Sequence, residues 1–479
     1  MDFKGRAADL GLLDGELGRV TQRRGGTRGR ALIVSGRRRV GKSRLVQEFC
    51  DRAGLPYLVF QATRGRNPVA ERADFTAALA QSGLPDADTV AGLQATDWNQ
   101  ALRTLALAVP QDTPVIAVLD EVPWLVEQDP EFEGALQTVW DRYLSSRPVL
   151  LILVGSNLSV MEALGSYGRP FFGRAAKMTV NPLNLADVQT MTGLAAVDAV
   201  DALLITGGFP EVVQAWEPGM GRSGYLRQEL ANPLSPLLMA GELSLLGEFP
   251  EATNSRAVLE AVGSGERTFT TIANAVGGSH PLTSGTLSPI LNSLLDKRVL
   301  AADAPLSTKA DTKNKRYRIA DSYLRFWLAF LWRGIPLVER GRGDLLFERI
   351  ERSWTSWRGR AVEPVIRECL LRRLPDGQWP ETEVVGGWWN RQNNPEIDLV
   401  GADREPVARQ VHFLGSIKWL ENKPFDRHDY DSLVRGMLAV PGVGPETPLV
   451  AVSRSGVADD LPLAAHWGPD DLLSGWQTS

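Results

Sequence analysis

The chain has 479 residues, 43% hydrophobic and 23% charged, with a formal net charge of -5. That length suggests about three domains at ~150 residues each, and the mildly acidic balance excludes a whole-protein electrostatic case for nucleic acid, so any such surface must be local. Two distant cysteines (Cys50, Cys369) and four histidines (His280, His412, His428, His466) without ligand spacing exclude a disulfide framework and a zinc pattern.

No apolar run approaches the ~20 residues of a membrane span. The segment MDFKGRAADL carries charges where a signal peptide needs an apolar core. The expected setting is cytoplasmic, with no membrane partner.

Phe3-Lys-Gly5-Arg6 precedes a helical pattern at Asp9, Leu10 and Leu13, and a Gly/Arg linker runs from Arg19 to Arg30. Ala31 to Val34 is apolar and short enough for a buried strand. Gly36-Arg-Arg-Arg-Val-Gly41-Lys42-Ser43 then fills G-x-x-x-x-G-K-[ST], and Leu45, Val46 and Phe49 continue at helical spacing. Strand, glycine-bounded loop and helix is the context that makes this pattern a phosphate site. Its glycines let successive N–H groups converge on one anion. Lys42 reaches the β- and γ-phosphates, and Ser43 ligates Mg²⁺ at the helix N-terminus. The expected nucleotide-binding set is Gly36, Arg37, Arg38, Arg39, Val40, Gly41, Lys42, Ser43 and Arg44, with ATP and Mg²⁺ as cofactors.

Leu55 to Gln61 reads as a second strand, and helical patterns alternate with a loop from about Asp74 to Leu107. Pro114 to Glu121 is an apolar strand ending in two acids, at the edge where ligands sit in open α/β sheets. Asp120 is expected to hold Mg²⁺, and Glu121 to polarise the attacking water. A further strand, Val149 to Val154, leads to Ser156 and Asn157, which either sense the γ-phosphate or cap the next helix. In Tyr167 to Arg174, Arg174 is the candidate for offsetting charge on the transferring phosphoryl group; the competing reading is a surface ion pair.

These motifs together resemble the prokaryotic AAA+/STAND class of P-loop ATPases, the archaeal-type ATPase family. The matching stretches are FxGR (Phe3 to Arg6), GRRRVGKS, Pro114 to Leu125, Leu151 to Asn157, Phe171 to Arg174 and Thr206 to Pro210. The resemblance implies an additional-strand (ASCE/AAA+-like) parallel sheet, with one strand between the phosphate-loop strand and the catalytic-acid strand. It also implies that Phe3 to Arg6, Arg6 included, contributes to the base and ribose pocket, and that Gly207 to Pro210 lies in a helical lid. Residues 1–230 are the expected ATPase domain.

Arg256 to Val262, Thr270 to Val276 and Leu287 to Leu295 read as short helices, followed by strands at 298–302 and 315–320. Three helices and a ribbon suit a winged helix, expected over residues 250–320. Its basic ribbon (Lys309, Lys313, Lys315, Arg316, Arg318) would contact DNA phosphate. The competing reading is a packing or dimer module with a solvated hairpin.

Ten of the fourteen tryptophans lie beyond residue 320, which signals a separate core there. Asp321 to Trp332 reads as one apolar helix. The stretch YRIADSYLRFWLAF resembles the start of a C-terminal domain of uncharacterised role found behind these ATPases and related to restriction-endonuclease-like nucleases, here residues 321–479. The resemblance implies an acid on the first helix (Glu363), one on a strand (Asp398) and a lysine on the next (Lys418). Ser416 stands where a second strand carboxylate is needed, and a hydroxyl brings a hard dication no negative charge. The hydrolytic centre is therefore expected to be impaired.

The expected function is an ATP-hydrolysing switch that couples nucleotide state to a winged-helix and nuclease-like module docking on DNA or protein. An ATP-regulated DNA nuclease and an ATP-gated module without nucleic acid are the alternatives. A homo-oligomer is expected if Arg174 acts on a neighbouring copy's nucleotide.

Overall fold

The computed structural model describes residues 3–21, 29–248, 253–265, 267–311, 313–392 and 394–477; most of the Gly/Arg linker, residues 22–28, falls outside them. The chain divides into two units, Met1–Pro182 and Leu183–Ser479.

The first unit is built on strands β1 (Arg30–Ser35), β2 (Tyr57–Gln61), β3 (Val115–Asp120), β4 (Val149–Gly155) and β5 (Ala175–Thr179). They pair in the order β2-β3-β4-β1-β5, every pair parallel. The central strands are apolar at nearly every position because both sheet faces are covered. Side chains alternate between the faces. Ile33, Leu119 and Leu153 join one buried cluster with Phe75, Trp98 and Phe132, and Val34, Val118 and Ile152 join another with Leu13, Leu45 and Phe49. Trp98 sits edge-on between Phe75 (5.8 Å) and Phe132 (5.2 Å); truncating such a side chain to alanine costs about 3–5 kcal/mol.

The second unit starts with five helices, Leu185–Thr192, Ala196–Thr206, Pro210–Gln214, Arg222–Leu230 and Pro236–Glu248. Residues 183–230, expected with the ATPase domain, thus belong to the other unit. The physical reason is a shared interior. Leu204, Val212 and Leu226 pack in one cluster with Leu237, Tyr323 and Trp327. Arg358, fully buried, pairs with Asp201 at 2.9 Å.

Helices Thr253–Gly263, Phe269–Gly277 and Ser284–Asp296 follow, then an antiparallel ribbon of β6 (Leu300–Asp303) and β7 (Arg316–Ile319). The segment joining the two strands lies along a second sheet. That sheet contains β8 (Val384–Trp389), β9 (Glu396–Ala402), β10 (Val411–Lys418), β11 (Leu449–Ser453) and β12 (Ala465–Trp467), in the order β12-β11-β10-β9-β8. β8, β9 and β10 pair antiparallel, and β10, β11 and β12 parallel. Leu306 N–H donates to the Gly387 carbonyl of β8 at 2.9 Å, and its buried side chain joins Trp388 and Val400. That covers a sheet edge that would otherwise present unpaired backbone groups.

One sequence expectation shifts here. The apolar segment after Asp321 is not one regular helix: Ser322–Phe326 gives way to a π-helical turn, Trp327–Leu331, where Trp327 Nε1 donates to the Leu238 carbonyl at 2.9 Å. The helix that carries Glu363 runs from Gly343 to Arg373. Among the described residues no single helix is long and apolar enough to cross a membrane.

Candidate functional site

The phosphate loop leaves the C-terminal edge of the sheet after β1. Its shape depends on two glycines. A Cβ on Gly36 would stand 2.3 Å from the Val180 carbonyl oxygen, and Gly41 takes φ 86°, where a side chain is strained, directly before helix Lys42–Ala53. Lys42, the first residue of that helix, is 6% exposed and donates to the Gly36 and Arg37 carbonyls, each at 2.8 Å. Burial lowers its ammonium from 10.5 to about 8, opposed by the Glu121 and Asp120 carboxylates and assisted by Arg38 and Arg6. Lys42 and the two acids therefore share one site, as the motif spacing requires.

Asp120 ends β3 and accepts the Glu121 N–H at 2.8 Å. Glu121 has φ 55° and ψ 40°, a left-handed conformation that is uncommon for a non-glycine residue. Strain of this kind persists where neighbours hold the residue in place. One of those neighbours is Ser156 at the end of β4, whose hydroxyl lies 3.1 Å from both Glu121 carboxylate oxygens. Asn157, expected either to sense the γ-phosphate or to cap a helix, accepts the Val160 N–H at 3.3 Å and caps helix Leu158–Leu164. Ser156 was visible in the sequence only as half of a Ser-Asn pair, and its role depends on β3 and β4 being neighbours.

Arg6 is buried, with φ 64°, and donates to Asp9 (2.8 Å), the Asn181 carbonyl (2.7 Å) and the Val40 carbonyl in the loop. It ties the N-terminal segment to the phosphate loop. Arg38 lies over the Trp124 ring at 6.0 Å, and Arg44 pairs with Glu48 on its own helix at 3.3 Å. Arg39 takes φ 66°.

Arg174 does not join this group. It forms a two-pronged pair with Asp141 (2.8 and 2.7 Å) and donates to the Pro170 and Phe172 carbonyls. The register Ala31↔Ala175 and Ser35↔Thr179 puts it at the N-terminal edge of the sheet, opposite the phosphate loop. The strands alone separate the two by roughly 16 Å, at ~3.3 Å per residue. Arg174 cannot serve the nucleotide of its own chain in this arrangement.

In the second unit, Glu363, Asp398 and Lys418 each have protein partners. Asp398 Oδ2 accepts the Ser416 hydroxyl at 3.0 Å and the Ile417 N–H at 2.8 Å. Burial nevertheless raises its pKa. Lys418 Nζ is 2.6 Å from Asp429. Burial pushes Glu363 up to about 7, against the nearby Arg367 charge. Arg367 lies 3.3 Å from Glu363 and donates to the Asp398 carbonyl at 2.8 Å. Arg367 was not among the expected site residues, although its spacing of four from Glu363 on a helix was a signal. Among the described residues no group of three His, Cys, Asp or Glu side chains is placed to hold a metal.

The basic ribbon also needs correction. Arg316 is buried, pairs with Glu396 of β9 and lies over Trp389 at 4.2 Å; Arg318 pairs with Asp303 at 2.9 Å. Lys309, Lys313 and Lys315 remain exposed.

A glycine-bounded loop after β1, an acid pair at the end of β3 and one strand between them, in an all-parallel five-stranded sheet, define the first unit as a P-loop NTPase fold. Residues 327–428 match the family described as archaea bacterial proteins of unknown function, DUF234. An uncharacterized protein of Methanocaldococcus jannaschii, MJECL04, is 24% identical over 410 residues, covering 82% of this chain and 84% of that protein. Solved structures with similarity include the Walker-type ATPase paby2304 of Pyrococcus abyssi, 17% identical with a TM-score of 0.45, covering 68% of this chain and 96% of that one. The ORC2 protein of Aeropyrum pernix, in ADPNP-ADP complexes, is 12% identical with a TM-score of 0.45, covering 71% and 96%.

Proposed function

We propose that this chain is a Mg²⁺-dependent ATPase whose nucleotide state acts as a switch on the second unit. The observation that carries this reading is Lys42, buried on the carbonyls of its own loop and facing the charges of Asp120 and Glu121. The backbone N–H groups of the loop bind the phosphates at the helix N-terminus, and Lys42 exchanges its neutral carbonyl partners for phosphate oxygens. Ser43 and Asp120 are the residues that would hold Mg²⁺, an oxygen pair suited to a hard cation. Bound there, the ion would offset charge on the phosphates. Glu121 orients and polarises the attacking water, and Ser156 fixes its carboxylate. Arg174 acts in trans, on the nucleotide of a second copy, because its own sheet stands between it and its own loop.

The nuclease-like reading is favoured as a scaffold rather than as a cutting site. A helix, three antiparallel strands, a second helix and a parallel strand support the scaffold. The Ser416 and Ile417 donors on Asp398, and the Asp429 partner of Lys418, weigh against hydrolysis. Three helices and a ribbon support a winged helix, and Lys309, Lys313 and Lys315 are the groups through which it would meet DNA phosphate.

The test is ATP turnover by the full chain with and without Mg²⁺. Turnover should need Mg²⁺ and vanish in Lys42→Ala; turnover in Lys42→Ala equal to that of the native chain overturns the proposal.

A further inference from the structure

A cavity of about 370 Å³ in the second unit is lined by five arginines, Arg267, Arg318, Arg325, Arg352 and Arg360. They converge from separate parts of the chain. Arg267 precedes helix Phe269–Gly277, Arg318 is on β7, Arg325 is on Ser322–Phe326, and Arg352 and Arg360 are on Gly343–Arg373. The spacing 352, 356, 360 puts Arg352, Ser356 and Arg360 on one helix face. No Asp or Glu is among the described residues that line the cavity.

Like charges gathered this way repel unless something offsets them. Arg318 has Asp303 at 2.9 Å. Among the described residues, Arg267, Arg325 and Arg360 have no carboxylate within ion-pair distance. Burial lowers Arg325 to about 10 and also lowers Arg267, on which Arg316 and Arg360 act in the same direction. The carboxylate both arginines feel most is Glu363, which burial pushes up to about 7, so its charge is only partial near neutrality. Among the described residues the cavity thus holds an excess of guanidinium groups, a setting for an anion.

We propose that this cavity binds a phosphate ester, gripped by half-buried Arg267 and Arg325 and closed at the rim by exposed Arg352 and Arg360. Planar guanidinium forks match phosphate oxygens two at a time. The volume falls at the small end of ligand sites. Ser353 and Ser356 add hydroxyl donors, and Tyr317 and Trp357 add aromatic wall, which suits a base attached to the phosphate. The ester comes either from a free phosphate compound or from a nucleic-acid strand. This site is separate from the phosphate loop and stands whether or not that loop hydrolyses ATP.

The test uses the full chain carrying Lys42→Ala, which silences the loop, without Mg²⁺. Inorganic pyrophosphate and a 5′-phosphorylated thymidine dodecamer are titrated calorimetrically, with the 5′-hydroxyl dodecamer alongside. At least one probe should bind, and Arg352→Gln/Arg360→Gln should weaken it tenfold or more. Those side chains are exposed, so the melting temperature should hold, and Arg352→Lys/Arg360→Lys should recover most of the affinity. Binding of pyrophosphate alone assigns a free ligand. Preference for the phosphorylated strand assigns a strand end, and equal binding of both strands assigns internal phosphodiesters. No binding by any probe, or a loss of less than threefold in the Gln variant, overturns the proposal.

Discussion

The Ser156 hydroxyl lies 3.1 Å from each carboxylate oxygen of Glu121, bridging the ends of two adjacent strands. The bond orients an acid already held in a left-handed backbone. Hydrogen bonds to charged groups contribute about 1.5–3 kcal/mol, and ~1.4 kcal/mol is tenfold in rate. Ser156→Ala should therefore lower kcat about tenfold with KM for ATP little changed. Asn157→Ala should cost about 1 kcal/mol of stability, as the loss of a helix cap does, and leave turnover nearly intact. Steady-state kinetics and denaturant melts on the two variants separate these roles; a turnover loss in Asn157→Ala larger than in Ser156→Ala would reverse them.

Lys42 gives a pH dependence with a defined sign. In the nucleotide-free chain burial lowers it to about 8, and phosphate favours its charged form, so binding raises that value again. ATP affinity should be level below about pH 7 and fall as pH rises through 8, by up to about tenfold per unit. Metal-free calorimetry between pH 7 and 9.5 reads this directly. A level affinity across the range would contradict the burial of this amine against loop carbonyls.

Arg174 sits across the sheet from its own loop, so on the proposed reading it serves the loop of another copy. Arg174→Ala and Lys42→Ala should each be inactive alone. Mixed, they should recover part of the turnover, because the second supplies the arginine and the first the loop. Native turnover per chain should also rise with protein concentration. An unchanged rate in Arg174→Ala would return Arg174 to a surface ion pair with Asp141.

Glu363 is raised from 4.5 to about 7 by burial. A carboxyl with a raised folded value stabilises the fold below its unfolded value, and that contribution is lost as pH rises through the folded one. The loss amounts to about 3 kcal/mol at most between pH 4.5 and 7. Glu363→Gln should therefore gain stability relative to the native chain on going from pH 5 to pH 8, measured by urea unfolding at both. A difference that stays constant would show that Glu363 does not titrate in this range.

The elements that position the phosphate site were legible because their causes are local. Gly36 and Gly41 mark the loop, Val115 to Leu119 mark a strand buried on both faces, and Asp120 and Glu121 mark its ligand edge. What the sequence withheld depends on pairings distant along the chain. Glu396 takes Arg316 away from the exposed basic ribbon, Leu306 is buried against β8, and Arg358 ties helix Ala196–Thr206 to helix Gly343–Arg373 through Asp201. The missing acid at Ser416 was readable as a deficit. That its hydroxyl would bond Asp398 needed the neighbouring strands β9 and β10.

On the proposed mechanism Glu121 performs the hydrolytic step at a loop that binds ATP independently of it. Single-turnover hydrolysis in Glu121→Gln, measured beside ATP affinity, tests it most directly. The expected result is ATP affinity within about threefold of the native chain and hydrolysis slower by about 10²-fold or more, the scale of positioned acid–base catalysis. Hydrolysis at the native rate in Glu121→Gln would contradict it.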